Sequence, residues 1–185
     1  NIMTNFDRLF EDLREKAGII DKYIYENLNI DNIDLSDAAY HLIKAGGKRI
    51  RPYMLIQSYR LALSIDKKKD EDIEHIIPLA AAVELLHTFS LIHDDIMDKD
   101  DKRRGVPTVH KNWNESWAIL SGDILFSKLF SVIHNASESI ENERLSVISR
   151  NLAEVSSKLC EGQAMDIQFE RKKFNEISID DYFTM

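Results

Sequence analysis

Between Ile73 and Asp98 the chain reads as one long helix, rich in Ala, Leu and Ile on most of its faces. A helix apolar nearly all round belongs in the middle of a bundle, because any exposed face would put hydrocarbon in water. The remaining elements must therefore be ones that can surround a helix. With six Gly and three Pro in 185 residues, there is little turn material for an all-β fold, and the β signal is weak throughout. The expected fold class is all-α, a helical bundle.

Spacing gives the other helices. Phe6, Leu9, Leu13, Ile19, Ile20 and Tyr23 recur at intervals near three and four, an amphipathic helix over 5–28. A polar loop, 27–34, precedes a second helix that restarts at Asp37 and stops at Ala45-Gly46-Gly47. A third runs from about Pro52, a good first-turn residue, to Ile65. Asp66 to Asp72, with its lysine run, reads as an exposed connector. Residues 99–115 read as a charged loop, followed by helices over 116–136 and 141–169 and the start of another at 179. Hydrophobic residues are 44% of the chain and charged residues 30%, the balance of one globular domain. No repeat or linker divides it.

The formal net charge of −8 argues against a nucleic-acid binder with a broad basic face. Lys48-Arg49-Ile50-Arg51 and Lys102-Arg103-Arg104 nonetheless leave room for local anion sites. One cysteine, Cys160, cannot form an intrachain disulfide, which points to a reducing cytoplasm. No apolar run reaches the roughly 18–20 residues of a membrane helix. The longest, Ile76 to Ile92, is broken by Glu84, His87, Thr88 and Ser90. No secretory signal opens the chain.

Chemistry concentrates at the end of the long helix. Asp94 and Asp98 are four residues apart, so they project on nearly the same face, one turn from each other. Two carboxylates so placed suit a hard cation, since Mg²⁺ takes one or two carboxylates plus substrate phosphates. The other reading is a solvated acidic helix end. Yet Asp94, Asp95, Asp98, Asp100 and Asp101 crowd the negative end of the helix dipole, which calls for a compensating cation. An EF-hand does not fit, because Lys102 and Arg103 occupy positions needing a ligand and a glycine. Arg103 and Arg104 could neutralise these aspartates, or form a diphosphate clamp with a bound metal. Gly46-Gly47-Lys48-Arg49-Ile50-Arg51-Pro52 lacks P-loop spacing and by itself reads as a basic loop. His87 lies two turns, roughly 10 Å, before Asp94 on the same stripe. It reads equally as a satisfied core residue or as part of the site.

Taken in order, Gly46 to Pro52, Glu84-Leu-Leu-His-Thr-Phe-Ser-Leu-Ile-His-Asp-Asp-Ile-Met-Asp98 and Arg103-Arg-Gly-Val-Pro-Thr108 closely resemble the trans-prenyl diphosphate synthases. Ser121-Gly122-Asp123 and Gly162-Gln163-Ala164-Met165-Asp166 extend the resemblance, which spans residue 35 to the end. It implies an isoprenoid-synthase-type helical bundle that condenses isopentenyl diphosphate with an allylic diphosphate (dimethylallyl, geranyl or farnesyl). Asp94 and Asp98 would ligate Mg²⁺, up to three ions in the complete enzyme, and Arg103 would contact the allylic diphosphate. Lys48, Arg51, His87 and Arg104 would hold isopentenyl diphosphate. Gln163 and Asp166, with Asp123 as a further candidate, would face the same cavity.

The family also has a second aspartate-rich motif and a Lys-Thr pair, which would follow Met185. An aromatic five residues before the first metal aspartate, here Phe89, is associated with short products because its ring floors the chain pocket. A simple helical wheel sets Phe89 about 140° from Asp94, so geometry alone does not single it out. The undivided aspartate motif and Arg104 to Lys111, which looks archaeal, point to a geranylgeranyl or farnesyl/geranylgeranyl diphosphate synthase. The resemblance implies a homodimer, with its interface expected over 112–139. Two rivals remain, a terpene cyclase and a non-catalytic subunit of a heteromeric synthase. A cyclase has no second diphosphate to hold, which leaves the basic cluster and His87 without a use. Non-catalytic partners generally lose aspartates or basic residues that are retained here.

Overall fold

The computed structural model describes residues 5–65, 73–173 and 176–185; the connector expected at 66–72 lies outside them. The expected all-α architecture is present. The helices are α1 (Asn5–Asn27), α2 (Ile33–Lys44), α3 (Ile50–Ile65), α4 (Ile77–Met97), α5 (Val109–Asn112), α6 (Glu115–Asn135), α7 (Asn142–Phe169) and α8 (Ile179–Thr184). They form two compact units, Asn1–Glu141 and Asn142–Met185.

In the first unit α4 packs against α6, α3, α1 and α2. Its Ala80, Ala81, Leu85 and Ile92 are among the most deeply buried residues of the chain. His93 lies beside Ile119 and Phe89 beside Phe126, so α4 and α6 run antiparallel. Among the described residues, two helical stretches, Glu74–Met97 and Glu115–Glu138, are long and apolar enough to cross a membrane by length and composition alone. The first is mostly buried inside the bundle, as the central helix of a globular core would be.

Caps explain where the helices begin and end. Asn32 accepts from Leu35 N–H at 2.9 Å, which starts α2 four residues earlier than Asp37. Gly46, at φ +82°, takes the left-handed position after α2. Pro52 lies within the first turn of α3. A short 3₁₀ turn, Glu74–Ile76, leads into α4, with Pro78 near its start. At its far end α4 closes in a Schellman motif. Asp100 N–H donates to Asp95 O at 3.0 Å and Lys99 N–H to Ile96 O at 3.3 Å, with Lys99 at φ +58°.

The stripe proposed for α1 is only partly inward. Ile20 and Ile24 are fully buried, while Phe6, Leu9 and Ile19 are exposed within this unit. Lys16 takes a buried place instead, with its ammonium held by Asp12 and Glu15.

The loop expected over 99–115 is more ordered than its composition suggests. It contains an antiparallel hairpin, β1 (Lys102–Arg103) and β2 (Val106–Pro107), followed by α5. Arg104 (φ +55°) and Gly105 (φ +82°) form the two-residue turn, and a type I′ turn requires positive φ at both positions. In the second unit, α7 spans 28 residues and α8 begins with a capping box between Ser178 and Asp181.

Candidate functional site

The C-terminal end of α4 carries the aspartates. Asp94 is half-buried and Asp98 is exposed at the C-cap, where its N–H donates to Asp94 O at 2.8 Å. Asp95, between them, points inward and is almost fully buried. Its carboxylate accepts from Arg103 Nε at 2.7 Å, and Arg103 also reaches Asp100 at 3.1 Å. Lys111 pairs with Asp101 at 2.8 Å. The cation that this acidic helix end calls for is thus supplied in part by the hairpin and α5. Burial pushes the Asp95 carboxyl up despite Arg103. For Arg103, burial is outweighed by Asp95, Asp100 and Asp94, which raise it.

Arg104 turns the other way. Its guanidinium donates to Leu42 O at 2.9 Å and to Gly46 O, and lies 3.6 Å from Glu84. Glu84 also accepts from Arg49 at 2.8 Å. The Arg49 side chain is wholly buried, and it further donates to Asp21 at 2.7 Å and Ile43 O at 3.0 Å. Both arginines occupy left-handed backbone, at φ +49° for Arg49 and +55° for Arg104, a conformation costly for a residue with a Cβ. That two strained residues meet on one carboxylate shows how firmly this corner is specified. Gly47 lets them pass, since a Cβ there would lie 2.8 Å from Arg49 Nη1 and 3.1 Å from Arg104 Cζ.

Beside this network Arg51 Nη1 lies 3.3 Å from His87 Nε2. A guanidinium only donates, so His87 Nε2 is the acceptor and carries no proton. Burial first, then the charges of Arg51, Arg104, Arg49 and Arg103, push His87 down to about 4. Arg51 contacts His87 directly, while Arg104, Arg49 and Arg103 act on it from their pairings with Glu84, Asp21 and Asp95. Lys48 is exposed at the edge of a cleft of about 460 Å³ that Phe10, Leu13 and Ala17 of α1 help to line.

Phe89 faces α6. Its ring meets Phe126 at 4.9 Å and, edge-on, His93 at 4.8 Å. Asp123 is exposed, 3.7 Å from His93 Nε2. Gln163 and Asp166 are half-buried, three residues apart on one face of α7.

The structure therefore gathers Arg51, His87, Arg103 and Arg104 around the last three turns of α4. Sequence reasoning passed over Arg49, Asp95, Glu84 and His93. For Glu84 a signal existed: one carboxylate in the middle of an apolar helix demands a buried partner.

Among the described residues, no three His, Cys, Asp or Glu side chains are grouped to hold a metal by themselves. Asp94 and Asp98 are two oxygen donors one turn apart, the donor set that suits Mg²⁺ when phosphate oxygens complete the shell.

The polyprenyl synthetase family model matches residues 33–185. A short chain isoprenyl diphosphate synthase of Methanocaldococcus jannaschii is 44% identical over 170 residues, 86% of this chain and 49% of that protein. A geranylgeranyl diphosphate synthase of Methanosarcina mazei is 40% identical over 172 residues, 91% of this chain and 50% of that protein. The crystal structure of geranylgeranyl pyrophosphate synthetase from Pyrococcus horikoshii superposes with a TM-score of 0.88 at 40% identity. That superposition covers 98% of this chain and 53% of the other. The chain spans about half the length of the curated relatives it matches.

Proposed function

The chain belongs to the polyprenyl synthetase family, and on that premise we propose that the protein carrying it is a prenyltransferase. It joins isopentenyl diphosphate head to tail with an allylic diphosphate, giving a short trans-prenyl diphosphate of farnesyl to geranylgeranyl length. The observation that carries this reading is the pairing of two unlike anion sites at one end of α4. One is Arg103 beside the Asp94/Asp98 pair, whose carboxylates would take a diphosphate through a metal ion, and the other is Arg51 against neutral His87 with Arg104 nearby. A cyclase needs only the first.

In this reading Arg103 binds the allylic diphosphate, while Lys48, Arg51, His87 and Arg104 orient isopentenyl diphosphate. The allylic C–O bond breaks and its electron pair leaves with the diphosphate. The isopentenyl double bond attacks the allylic carbon, forming the new C–C bond. A proton is then lost from the resulting cation to the diphosphate just released, restoring a double bond. Asp94 and Asp98 would hold Mg²⁺ together with substrate oxygens, and the bound ion would supply positive charge that favours diphosphate departure. Phe89 floors the chain pocket. The protein works as a homodimer through α6, where Ile119, Leu120 and Phe130 are exposed.

The test is product analysis of the full-length protein with both diphosphates, with and without Mg²⁺. Prenyl diphosphate should form only when all three are present. Asp94→Ala should lower the rate by roughly 10²-fold or more, the scale of losing transition-state charge stabilisation. A hydrocarbon formed without isopentenyl diphosphate refutes the reading.

A further inference from the structure

His93 precedes the metal aspartates, yet its imidazole turns toward α6 and plays no part in the chemistry above. Its Nε2 lies 3.1 Å from Ile119 O. A carbonyl only accepts, so this nitrogen carries a proton and donates. The ring fills the space over Gly122, where any Cβ would collide with Nε2. The same ring makes a T-shaped contact with Phe89 at 4.8 Å, and Phe89 also meets Phe126 at 4.9 Å. Phe126 in turn meets Phe130 at 5.6 Å. His93 is thus held at its Nε2 tip both by a carbonyl of α6 and by a glycine-sized slot. The ring so held stands in T-shaped contact with the residue proposed to end the chain pocket. Aromatic pairs at these distances are attractive and orientation-specific, so removing His93 frees the Phe89 ring to tilt.

We propose that His93 is a positioning residue that holds the Phe89 ring and through it sets product length, with Gly122 the slot that admits the imidazole. This rests on the prenyltransfer reading and on Phe89 as the pocket floor. In the full-length protein with isopentenyl and farnesyl diphosphates, Phe89→Ala should lengthen the longest product. His93→Ala should shift it the same way by at least one isoprene unit, with no more than a few-fold change in KM for isopentenyl diphosphate. Because His93 acts through Phe89, the double variant should match Phe89→Ala alone. A role in packing alone would slow every condensation step alike without lengthening products.

Gly122→Ala should lower Tm by several degrees, as overpacking does, and adding His93→Ala should recover it. Where His93→Ala alone does not fold, that paired variant, whose new methyl refills part of the hole, serves for the product assay. An unchanged product distribution, additive lengthening in the Phe89/His93 double variant, or Gly122→Ala melting with the wild type each overturns the proposal. A wild-type protein that forms no prenyl diphosphate overturns the prenyltransfer reading and this proposal's product-length claim with it. The melting comparison needs no turnover and still decides whether His93 fills the slot.

Discussion

Replacing Glu84 with leucine removes the carboxylate on which Arg49 and Arg104 converge. The Arg49 side chain is wholly inaccessible to solvent and that of Glu84 is 2% exposed. Arg49 therefore cannot turn to water when its partner is lost. Breaking a buried pair by deleting one member costs about 3–5 kcal/mol, because it strands the other charge. Asp21, 2.7 Å from Arg49 and partly exposed, still compensates some of that charge, so we expect the lower end, about 3 kcal/mol. At roughly 2–4 °C per kcal/mol for a protein of this size class, Tm should fall by about 6–12 °C.

The same site predicts an unusual rescue. Burial pushes the Glu84 carboxyl up in spite of Arg49 and Arg104, so desolvation outweighs the attraction of its partners at neutral pH. An apolar pair of similar volume should therefore serve nearly as well. Arg49→Met with Glu84→Leu should lie within about 1 kcal/mol of wild type. Asp21 can then face water, and Arg104 retains Leu42 O and Gly46 O. Chemical denaturation of the wild type, both single variants and the double variant gives the coupling directly. A single-variant loss below about 1 kcal/mol, or a double variant worse than Glu84→Leu, refutes the reasoning.

Two more outcomes follow from the surroundings of that carboxylate. His87 is depressed from 6.5 to about 4 in the folded protein, so the unfolded chain binds its proton first as pH falls. Its contribution to stability is complete above about 6.5 and is lost as pH drops through about 4. Melting curves of wild type and His87→Gln should converge across that window, and parallel curves would refute the assignment. Gly47→Ala should cost about 1–3 kcal/mol through overpacking, since Arg49 and Arg104 are held by buried partners and cannot swing away. It should also raise KM for isopentenyl diphosphate; a variant unchanged in both melting and KM would show that the arginines can yield.

What the sequence conveyed about this molecule depended on how local the determinant was. The central place of α4 is readable because apolar side chains on every face leave it no other position. The α1 stripe is less so. Periodicity identifies an apolar face but not how many turns of it a neighbour covers, and Ile20 and Ile24 are buried where Phe6 and Leu9 are not. In Lys48-Arg49-Ile50-Arg51, nothing in the spacing tells which cation turns inward. That choice is made by Asp21 and Glu84, 28 and 35 residues away. The hairpin was hidden for a different reason. Its turn places an arginine where asparagine or glycine is favoured, and contacts to α2 and Glu84 hold it there. Asp94, Asp98, Arg103 and Arg104 were legible as chemistry, but the division of labour between the arginines was not.

That division has a consequence for how the segment can vary. Arg103 reaches Asp95 and Asp100, whereas its neighbour Arg104 reaches the end of α2. The hairpin that holds both, Lys102 to Pro107, has two residues in each strand and two in its turn. One residue gained between Asp100 and Arg103 would move Arg103 into the turn position of Arg104, and one lost would move Arg104 into the strand position of Arg103. Either change leaves one set of partners without an arginine. Surface loops ordinarily absorb insertions and deletions more readily than helices do. Here the exposed Lys102 can change identity, but the number of residues leading to Arg103 cannot change without taking both guanidiniums off their partners.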